Sequence, residues 1–193
     1  MEVTVDWRQL IKQGLEGMLK ELGPGHHTEG TPDRVVRMYE QSFQKPETME
    51  EARAVLQRDF KHKTDISQMI SVNSIQFVSW CAHHLVPILC VGHFAYLPTD
   101  KIVGLSKVVR LVEIVAARPQ VQEVLTDQVA SIFQEEVDPL GCGFVVDAQH
   151  MCMIARGVQK AGVWVRTSSL RGRFLSSNEV KQEFLGGVPK FEA

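Results

Sequence analysis

The stretch SWCAHHLVP, residues 79–87, holds the side chains best suited to chemistry in this sequence. It places Cys81, His83 and His84 next to tryptophan, leucine and proline. One imidazole near apolar residues is ordinary, but a cysteine with two adjacent histidines is typical of a metal or acid–base site. Cys81 and His84 can converge if the segment turns at the proline.

A second stretch, QHMCM, places His150 two positions before Cys152. Residues two apart in a strand point to the same side. We predict that residues 141–154 form one long strand and that His150 and Cys152 share a face of it.

Together Cys81, His84 and Cys152 form a set of three nitrogen and sulfur ligands. Structural zinc usually has four protein ligands, whereas catalytic zinc keeps three and leaves a position for water. His83 and His150 would then be the acid–base pair beside the metal, because imidazole titrates near neutral pH.

The simpler interpretation is that these cysteines belong to the core, where cysteine is among the residues most often buried. Cys90 and Cys142 lie in apolar, strand-like sequence and are predicted to be core. Four histidines show no partner pattern and receive no role: His26, His27, His62 and His93.

Cationic residues suggest a second site, one that binds anions. Lys107 and Arg110 lie three apart at the start of a predicted helix, and the helix N-terminus adds positive potential. Arg156 lies at the predicted hairpin turn. Each is ordinarily a solvated surface charge, but together they would bind a polyphosphate. Glu123, at the start of another helix, is either a surface carboxylate or an acceptor for the N–H groups of a base.

The surrounding pattern predicts an α+β fold, an antiparallel sheet with helices packed on one face. We divide the chain into an N-terminal helical region, 1–70, and a catalytic region, 71–193. Long exposed sheet edges predict a homo-oligomer.

The predicted elements are a helix at 6–22 capped by Asp6, a helix opened by Thr31 as cap with Pro32 at N1, a short amphipathic piece at 50–60, strands from residue 71, helices at 106–117 and from Pro119, and strands at 141–154 and 161–174.

Composition excludes several classes. The 193 residues carry a net charge of −2, so bulk electrostatics do not indicate nucleic-acid binding. No apolar run is long enough to span a membrane, and no signal peptide is visible. Four cysteines are too sparse for a disulfide framework. We therefore expect a cytoplasmic protein with no nucleic-acid or membrane partner.

Several segments in this order resemble the GTP cyclohydrolase I family: TPDRVVRMYE, CAHHLVP, HFAYLPTDKIVGLSKVVRLVE, RPQVQEVLTDQVA, HMCMIARGVQK and TSSLRGRF. The resemblance runs from about residue 31 to residue 186. It implies the tunnelling fold, in which subunits join their sheets into a barrel and two five-membered rings form a decamer. Active sites would then lie at subunit interfaces.

The resemblance also implies a reaction, the conversion of GTP and water to 7,8-dihydroneopterin triphosphate and formate. It implies zinc, one ion per subunit with Fe²⁺ as the alternative, on the predicted ligand set, and His83 and His150 as acid–base residues. The implied substrate contacts are Glu123 and Gln122 for guanine, Ser106 for ribose, and Lys107, Arg110, Arg156, Arg34 and Arg37 for the triphosphate.

The sequence departs from the family pattern at a few positions. Ala82 stands where the family usually has glutamate, and Ala117 and Arg118 stand for its paired arginines. A rival hypothesis is therefore a divergent member that binds a nucleotide or pterin without turnover. The sequence has no HxE motif followed by a CxxC motif, which argues against a zinc-dependent base deaminase. It also offers no fourth ligand, which argues against a purely structural zinc module. Whether the product feeds folate, biopterin or deazaguanine synthesis is left open by the sequence.

Overall fold

The structure, a computed structural model, describes residues 5–23, 25, 27–43, 48–57, 68–100 and 102–189. Contacts divide the chain into two units, Met1–Gln44 and Lys45–Ala193. The helices are α1 (Trp7–Leu22), α2 (Thr31–Ser42), α3 (Thr48–Gln57), α4 (Leu105–Ala116), α5 (Gln122–Val137), α6 (Met151–Ile154), α7 (Arg173–Ser176) and α8 (Asn178–Gly187). The strands are β1 (Ile70–Cys81), β2 (Pro87–Leu97), β3 (Pro119–Gln120), β4 (Gly141–His150) and β5 (Val165–Gly172). Among the described helices, none has the length and apolar character needed to cross a membrane.

The first unit contains α1 and α2, the two N-terminal helices predicted from the sequence. The Asp6 carboxylate accepts a hydrogen bond from the Arg8 backbone N–H at 3.1 Å, which confirms Asp6 as the N-cap of α1. The predicted cap of α2 is wrong by one residue. Gly30 occupies the cap position with φ +69°, and Thr31 is already helical. Two of the histidines without a role, His26 and His62, lie outside the described residues.

The second unit is built on one sheet with the strand order β3-β1-β2-β4-β5. All neighbouring strands are antiparallel except β1 and the two-residue β3, which run parallel. The predicted α+β class with a mainly antiparallel sheet is confirmed. The division at residue 70 into helical and catalytic regions stays a prediction.

One face of the sheet packs against α4 and α5. Phe94 of β2 lies 4.6 Å, centroid to centroid, from Phe133 of α5 and 6.0 Å from Phe144 of β4. Of the eight residues that helical periodicity predicts to face inward on these two helices, all but Val121 and Val124 are buried, and Val121 is half-buried. Val124 is 45% exposed, because α5 begins at Gln122 and its buried stripe therefore passes through Leu125 rather than Val124. The buried helix residues confirmed are Leu111, Val112, Val115, Leu125, Val129 and Ile132.

The opposite face is also partly covered, which differs from the expectation of helices on one face. Ala95 and Val145 alternate with the residues of the first core, and they pack with Phe174 and Phe184 of the C-terminal helices. A Cβ at Gly143 would lie 2.6 Å from the Phe184 ring. Glycine therefore lets α8 approach the sheet. The sequence pattern did not predict α7 or α8.

The predicted long strand at 141–154 is wrong in its last four residues. Strand β4 ends at His150, and Met151–Ile154 form the helical turn α6. The Ala155 N–H donates to the Met151 carbonyl at 2.8 Å, which closes that turn. His150 and Cys152 therefore do not share a strand face. The predicted partner strand at 161–174 is confirmed over Val165–Gly172, which is β5, whereas residues 161–164 are not in a strand and Arg173 and Phe174 already belong to α7.

Strand β2 also carries a buried histidine. His93 is 1% exposed, and its Nδ1 accepts from the Ser74 N–H at 3.4 Å, at a bulge where Ser74 has φ +60°. Its Nε2 has no hydrogen-bond partner among the described residues. Burial lowers the pKa of His93 below its usual range; the Asp147 carboxylate raises it in part, and Arg166 lowers it further.

This buried histidine makes stability depend on pH. Its folded pKa lies below its unfolded pKa, so the unfolded chain binds more protons and the folded state loses stability as pH falls below about 6.5. We expect His93→Asn to flatten the fall in the free energy of unfolding between pH 7 and pH 5, measured by urea denaturation, by at most about 1.4 kcal/mol per pH unit. The control is His27→Asn, at an exposed position. Parallel curves for wild type and His93→Asn would contradict the assignment.

Candidate metal centre and active site

The segment after β1 folds back tightly on the end of that strand. The Cys81 N–H donates to the Val86 carbonyl at 2.9 Å, and the Leu85 N–H donates to the Cys81 carbonyl at 2.8 Å. Leu85 adopts φ +50° in this turn. As a result His84 Nδ1 lies 3.6 Å from Cys81 Sγ, which confirms the predicted convergence of these two residues.

Strand pairing brings the third residue to the same place. Strand β2 lies between β1 and β4, and Ile88 near its start pairs with His150 at the end of β4. Helical turn α6 follows immediately and carries Cys152. One ligand atom from each of Cys81, His84 and Cys152 lies within 4.8 Å of the other two. These three residues are called the Cys–His–Cys group below.

The Cys–His–Cys group fits a tetrahedral metal ion. Bond lengths of about 2.3 Å to sulfur and about 2.0–2.1 Å to nitrogen place the two donors roughly 3.6 Å apart in a tetrahedral zinc site. The separation of Cys81 Sγ and His84 Nδ1 is 3.6 Å. Thiolate and imidazole donors suit zinc among common divalent ions. Within the described part of the chain the group has three members, so it could leave one position to a small molecule.

The two sulfurs influence each other. Burial raises the pKa of the Cys152 thiol, and its hydrogen bond with Cys81 and the charge of Cys81 raise that pKa further. The thiols must lose protons to bind a metal, so metal binding to this group releases protons.

Two more histidines border the group. His83 Nδ1 lies 3.9 Å from Cys81 Sγ, and its side chain is exposed. His150 Nε2 lies 2.8 Å from Gln122 Oε1. Burial lowers the pKa of His150 below its usual range, and the Glu123 carboxylate partly opposes that shift. The structure therefore brings both predicted acid–base histidines and Glu123 to the region of the Cys–His–Cys group.

The cationic residues divide between two places. Arg156 Nη1 lies 2.8 Å from His84 Nε2, so Arg156 does reach the Cys–His–Cys group. Ser106, Lys107 and Arg110 lie on the first turns of α4, and no hydrogen bond or ion pair between described residues joins them to that group. Lys107 is only 8% exposed, yet its ammonium has no acceptor among the described residues.

The remaining predicted cations lie in the first unit, on α2. The Arg34 guanidinium donates to the Glu29 carbonyl and to the Thr31 hydroxyl, each at 2.9 Å. Arg37 is exposed. Their roles toward a triphosphate stay predictions.

Sequence reasoning missed the polar residues that support this site. Thr126 and Thr167 bond to Gln122, and the Gln120 carbonyl accepts from the Ala82 N–H at 3.0 Å. Ala82, at the position where the family usually has glutamate, is exposed and offers no ligand. No local signal could have identified these contacts, because strand pairing brings together segments far apart in sequence.

Comparisons with known proteins agree with this geometry. The GTP cyclohydrolase I family matches residues 11–188. GTP cyclohydrolase 1 of Hydrogenobaculum sp. (strain Y04AAS1) is 42% identical over 180 residues, covering 92% of this chain and 95% of that protein. The protein of the same name from Aquifex aeolicus is 40% identical over 181 residues, covering 92% and 95%. GTP cyclohydrolase 1 of Campylobacter jejuni (serotype O:23/36, strain 81-176) is 42% identical over 170 residues, covering 86% and 88%.

A solved structure, the archaeosine synthase QueF-Like in the apo form, is similar with a TM-score of 0.46 and 14% identity. The match covers 56% of this chain and 97% of the QueF-Like chain, and the similarity is too weak to support any assignment. The family match and the relatives extend over most of the chain, and the range matched by the family, residues 11–188, contains the positions of all three members of the Cys–His–Cys group. The chain therefore belongs to the GTP cyclohydrolase I family.

Proposed function

We propose that this chain catalyses the conversion of GTP and water to 7,8-dihydroneopterin triphosphate and formate. Family membership supports the reaction. The observation that carries it is the Cys–His–Cys group, whose ligand atoms lie within 4.8 Å of one another at the end of the strand that carries His150. A structural zinc site would ordinarily have a fourth protein ligand, and the group found among the described residues has three members. A structural site would also gain nothing from the adjacent histidines.

Cys81, His84 and Cys152 would hold one divalent ion, with zinc favoured by the donors and Fe²⁺ as the alternative. When bound, such an ion supplies Lewis acidity that makes water acidic enough to ionise near neutral pH. The chain's own residues do the rest. They hold the nucleotide, orient the guanine and exchange protons with it.

Proton exchange falls to the two histidines. Attack of water at guanine C8 and protonation of the adjacent ring nitrogen together open the imidazole ring. His150 would take the proton that the attacking water loses and pass it to that ring nitrogen. His83 is a second donor on the exposed side of Cys81. A second hydrolysis releases formate, and the ribose carbons then rearrange and close the new ring. Burial keeps His150 neutral at pH values where a free histidine is partly charged, so it can also accept protons.

Substrate recognition falls to one carboxylate and several cations. Glu123 would accept from the N1–H and the amino group of guanine. Adenine lacks that pair of donors, so GTP is favoured over ATP. Ser106 would contact the ribose. The triphosphate would be held by Lys107, Arg110 and Arg156, with Arg34 and Arg37 as further contacts. The low exposure of Lys107, 8% for the whole residue, supports this, because a cation so little exposed gains from an anion bound beside it.

We also propose that copies of the chain join into a decamer. Strand β5 ends the sheet on one side, and on the other side β3 pairs with only the last two residues of β1. Open edges favour pairing with another copy. Joined sheets would form the barrel of the tunnelling fold, with active sites at subunit interfaces. This arrangement would let Lys107 and Arg110 of one copy serve the Cys–His–Cys group of another.

The first prediction concerns turnover. Zinc-loaded protein incubated with GTP between pH 6 and pH 9 should release formate and yield a pterin that fluoresces after oxidation. Parallel assays with ATP should give neither product. Tight GTP binding by calorimetry with no formate, with either zinc or iron supplied, would contradict the proposed reaction and favour a non-catalytic binding protein.

The second prediction concerns the metal. Cys152→Ser should reduce bound zinc from about one ion per chain to a small fraction of that after dialysis, because a hydroxyl is a poor zinc ligand. Elemental analysis measures the content. Cys142→Ser is the matched control, because Cys142 is a buried core cysteine on the preceding strand whose thiol bonds to the Ala130 carbonyl. Equal zinc in both variants would exclude Cys152 as a ligand.

The third prediction concerns Lys107. Lys107→Gln should raise the KM for GTP about 10- to 100-fold, the effect of losing one charged hydrogen bond of about 1.5–3 kcal/mol. The change in KM should be smaller for guanosine monophosphate, which lacks the outer phosphates. Lys181→Gln on α8 serves as the control for loss of a positive charge. An unchanged KM in Lys107→Gln would remove Lys107 from the triphosphate site.

A further inference from the structure

Gln122 stands at the start of α5 with only 3% of its surface exposed, and both polar atoms of its side chain have partners. Its Nε2 lies 3.1 Å from the Val146 carbonyl oxygen, 2.9 Å from the Val165 carbonyl oxygen and 3.1 Å from the Thr167 hydroxyl. Its Oε1 lies 2.8 Å from His150 Nε2. The amide thus joins β4, β5 and the histidine.

The chemistry of those partners determines which end of the amide faces which way. Backbone carbonyls only accept hydrogen bonds, so the amide nitrogen must face Val146 and Val165. A flipped amide would place its oxygen against two carbonyl oxygens in a buried site, where acceptors repel one another and none of them gains a donor from the contact. Oε1 of Gln122 therefore faces His150.

Two hydroxyl groups support the same orientation. The Thr126 hydroxyl donates to the Gln122 backbone carbonyl at 2.8 Å. It must then accept from the Thr167 hydroxyl, 2.6 Å away. Thr167 has thereby used its proton and can only accept from Gln122 Nε2. These hydrogen bonds form a closed ring that runs from the Gln122 amide to Thr167, to Thr126 and back to the Gln122 backbone carbonyl. Each bond in the ring has only one possible donor.

An amide oxygen only accepts, so the ring nitrogen that it faces must carry a hydrogen. We infer that Gln122 is a positioning residue that holds His150 in the Nε2–H tautomer and leaves Nδ1 as the nitrogen that exchanges protons. The catalytic part of this inference rests on the proposed function. It gives Gln122 a role different from the guanine contact that the family resemblance implies.

The benefit to catalysis is orientation. A neutral imidazole without such a partner exists as two tautomers and can turn about its side-chain bonds, so only part of the population presents the correct lone pair. A ring bonded to a buried amide keeps one tautomer and one orientation. Acid–base catalysis needs this alignment at the reacting atom.

The test compares two buried glutamines. Gln122→Met keeps the side-chain length but removes the acceptor for His150. Gln120→Met is the matched control, because Gln120 is also buried and its amide donates to the Val115 carbonyl without bonding to a histidine. Its contact with Ala82 is made by the backbone carbonyl, which the methionine variant keeps. We expect kcat of Gln122→Met to fall about 10- to 100-fold, with KM for GTP within about threefold and zinc content unchanged. Gln120→Met should keep kcat within about threefold of wild type.

Two kinetic outcomes would overturn the inference. One is a Gln122→Met enzyme whose kcat stays within about threefold of wild type. The other is a rise in KM of about tenfold with kcat unchanged, which would make Gln122 a substrate contact instead. If the methionine variant does not fold, Gln122→Asn replaces it under the same criteria, because its carbonyl stops one bond short of His150.

A measurement independent of activity separates this inference from the proposed function. Nitrogen NMR of ring-labelled histidine at about pH 8.5, where imidazoles are neutral, reports the tautomer directly. The His150 signal is the one missing from His150→Gln. Wild type should show Nε2–H, and Gln122→Met should show a mixture. A wild-type mixture, or Nδ1–H, overturns the inference even in an enzyme that converts GTP. A pure Nε2–H tautomer in a chain without GTP turnover supports the positioning role of Gln122 and contradicts the proposed reaction.

Discussion

The site depends on the register in which β2 pairs with its two neighbours. Pro87 faces Trp80 on one side, and Ile88 faces His150 on the other. The start of β2 therefore lies between the ends of β1 and β4. Cys81 is the last residue of β1, and Cys152 lies two residues beyond the end of β4. Side chains alternate across a strand, so a slip of one residue would turn His150 to the other face and separate the ligands. The aromatic core of β2, β4 and α5 favours the observed register, because only that register buries the rings.

Buried polar groups in the same region also have hydrogen-bond partners. The Asp147 carboxylate is buried on β4 and receives two hydrogen bonds from Arg166 of β5, at 2.7 and 2.8 Å. Gln122 spans the same two strands. Each of these bonds crosses from one element to another, so a shift of β5 relative to β4 would leave a buried charge or amide without partners. The polar network therefore specifies the position of the strands, and with it the position of His150.

The sequence predicted what local patterns and residue chemistry determine. Periodicity located the core helices α4 and α5, and the spacing of Cys81, His84 and Cys152 identified a ligand set that does converge. The end of β4 was missed because the apolar residues after His150 suit a strand as well as a helical turn. The contact of Gln122 with His150 was missed for a different reason. It joins residues distant in the chain, and only the three-dimensional pairing of strands reveals it.

The Cys–His–Cys group also has a thermodynamic consequence. Its two cysteines are separated by about 70 residues, a segment that contains β2, α4, α5 and β4. An ion held by both would close that segment into a loop, as a cross-link does, and the unfolded chain would lose entropy by it. The group forms only when the sheet is paired, so the free energy of ion binding adds to the free energy of unfolding. The residues that bind the ion for catalysis would then also stabilise the paired sheet against unfolding.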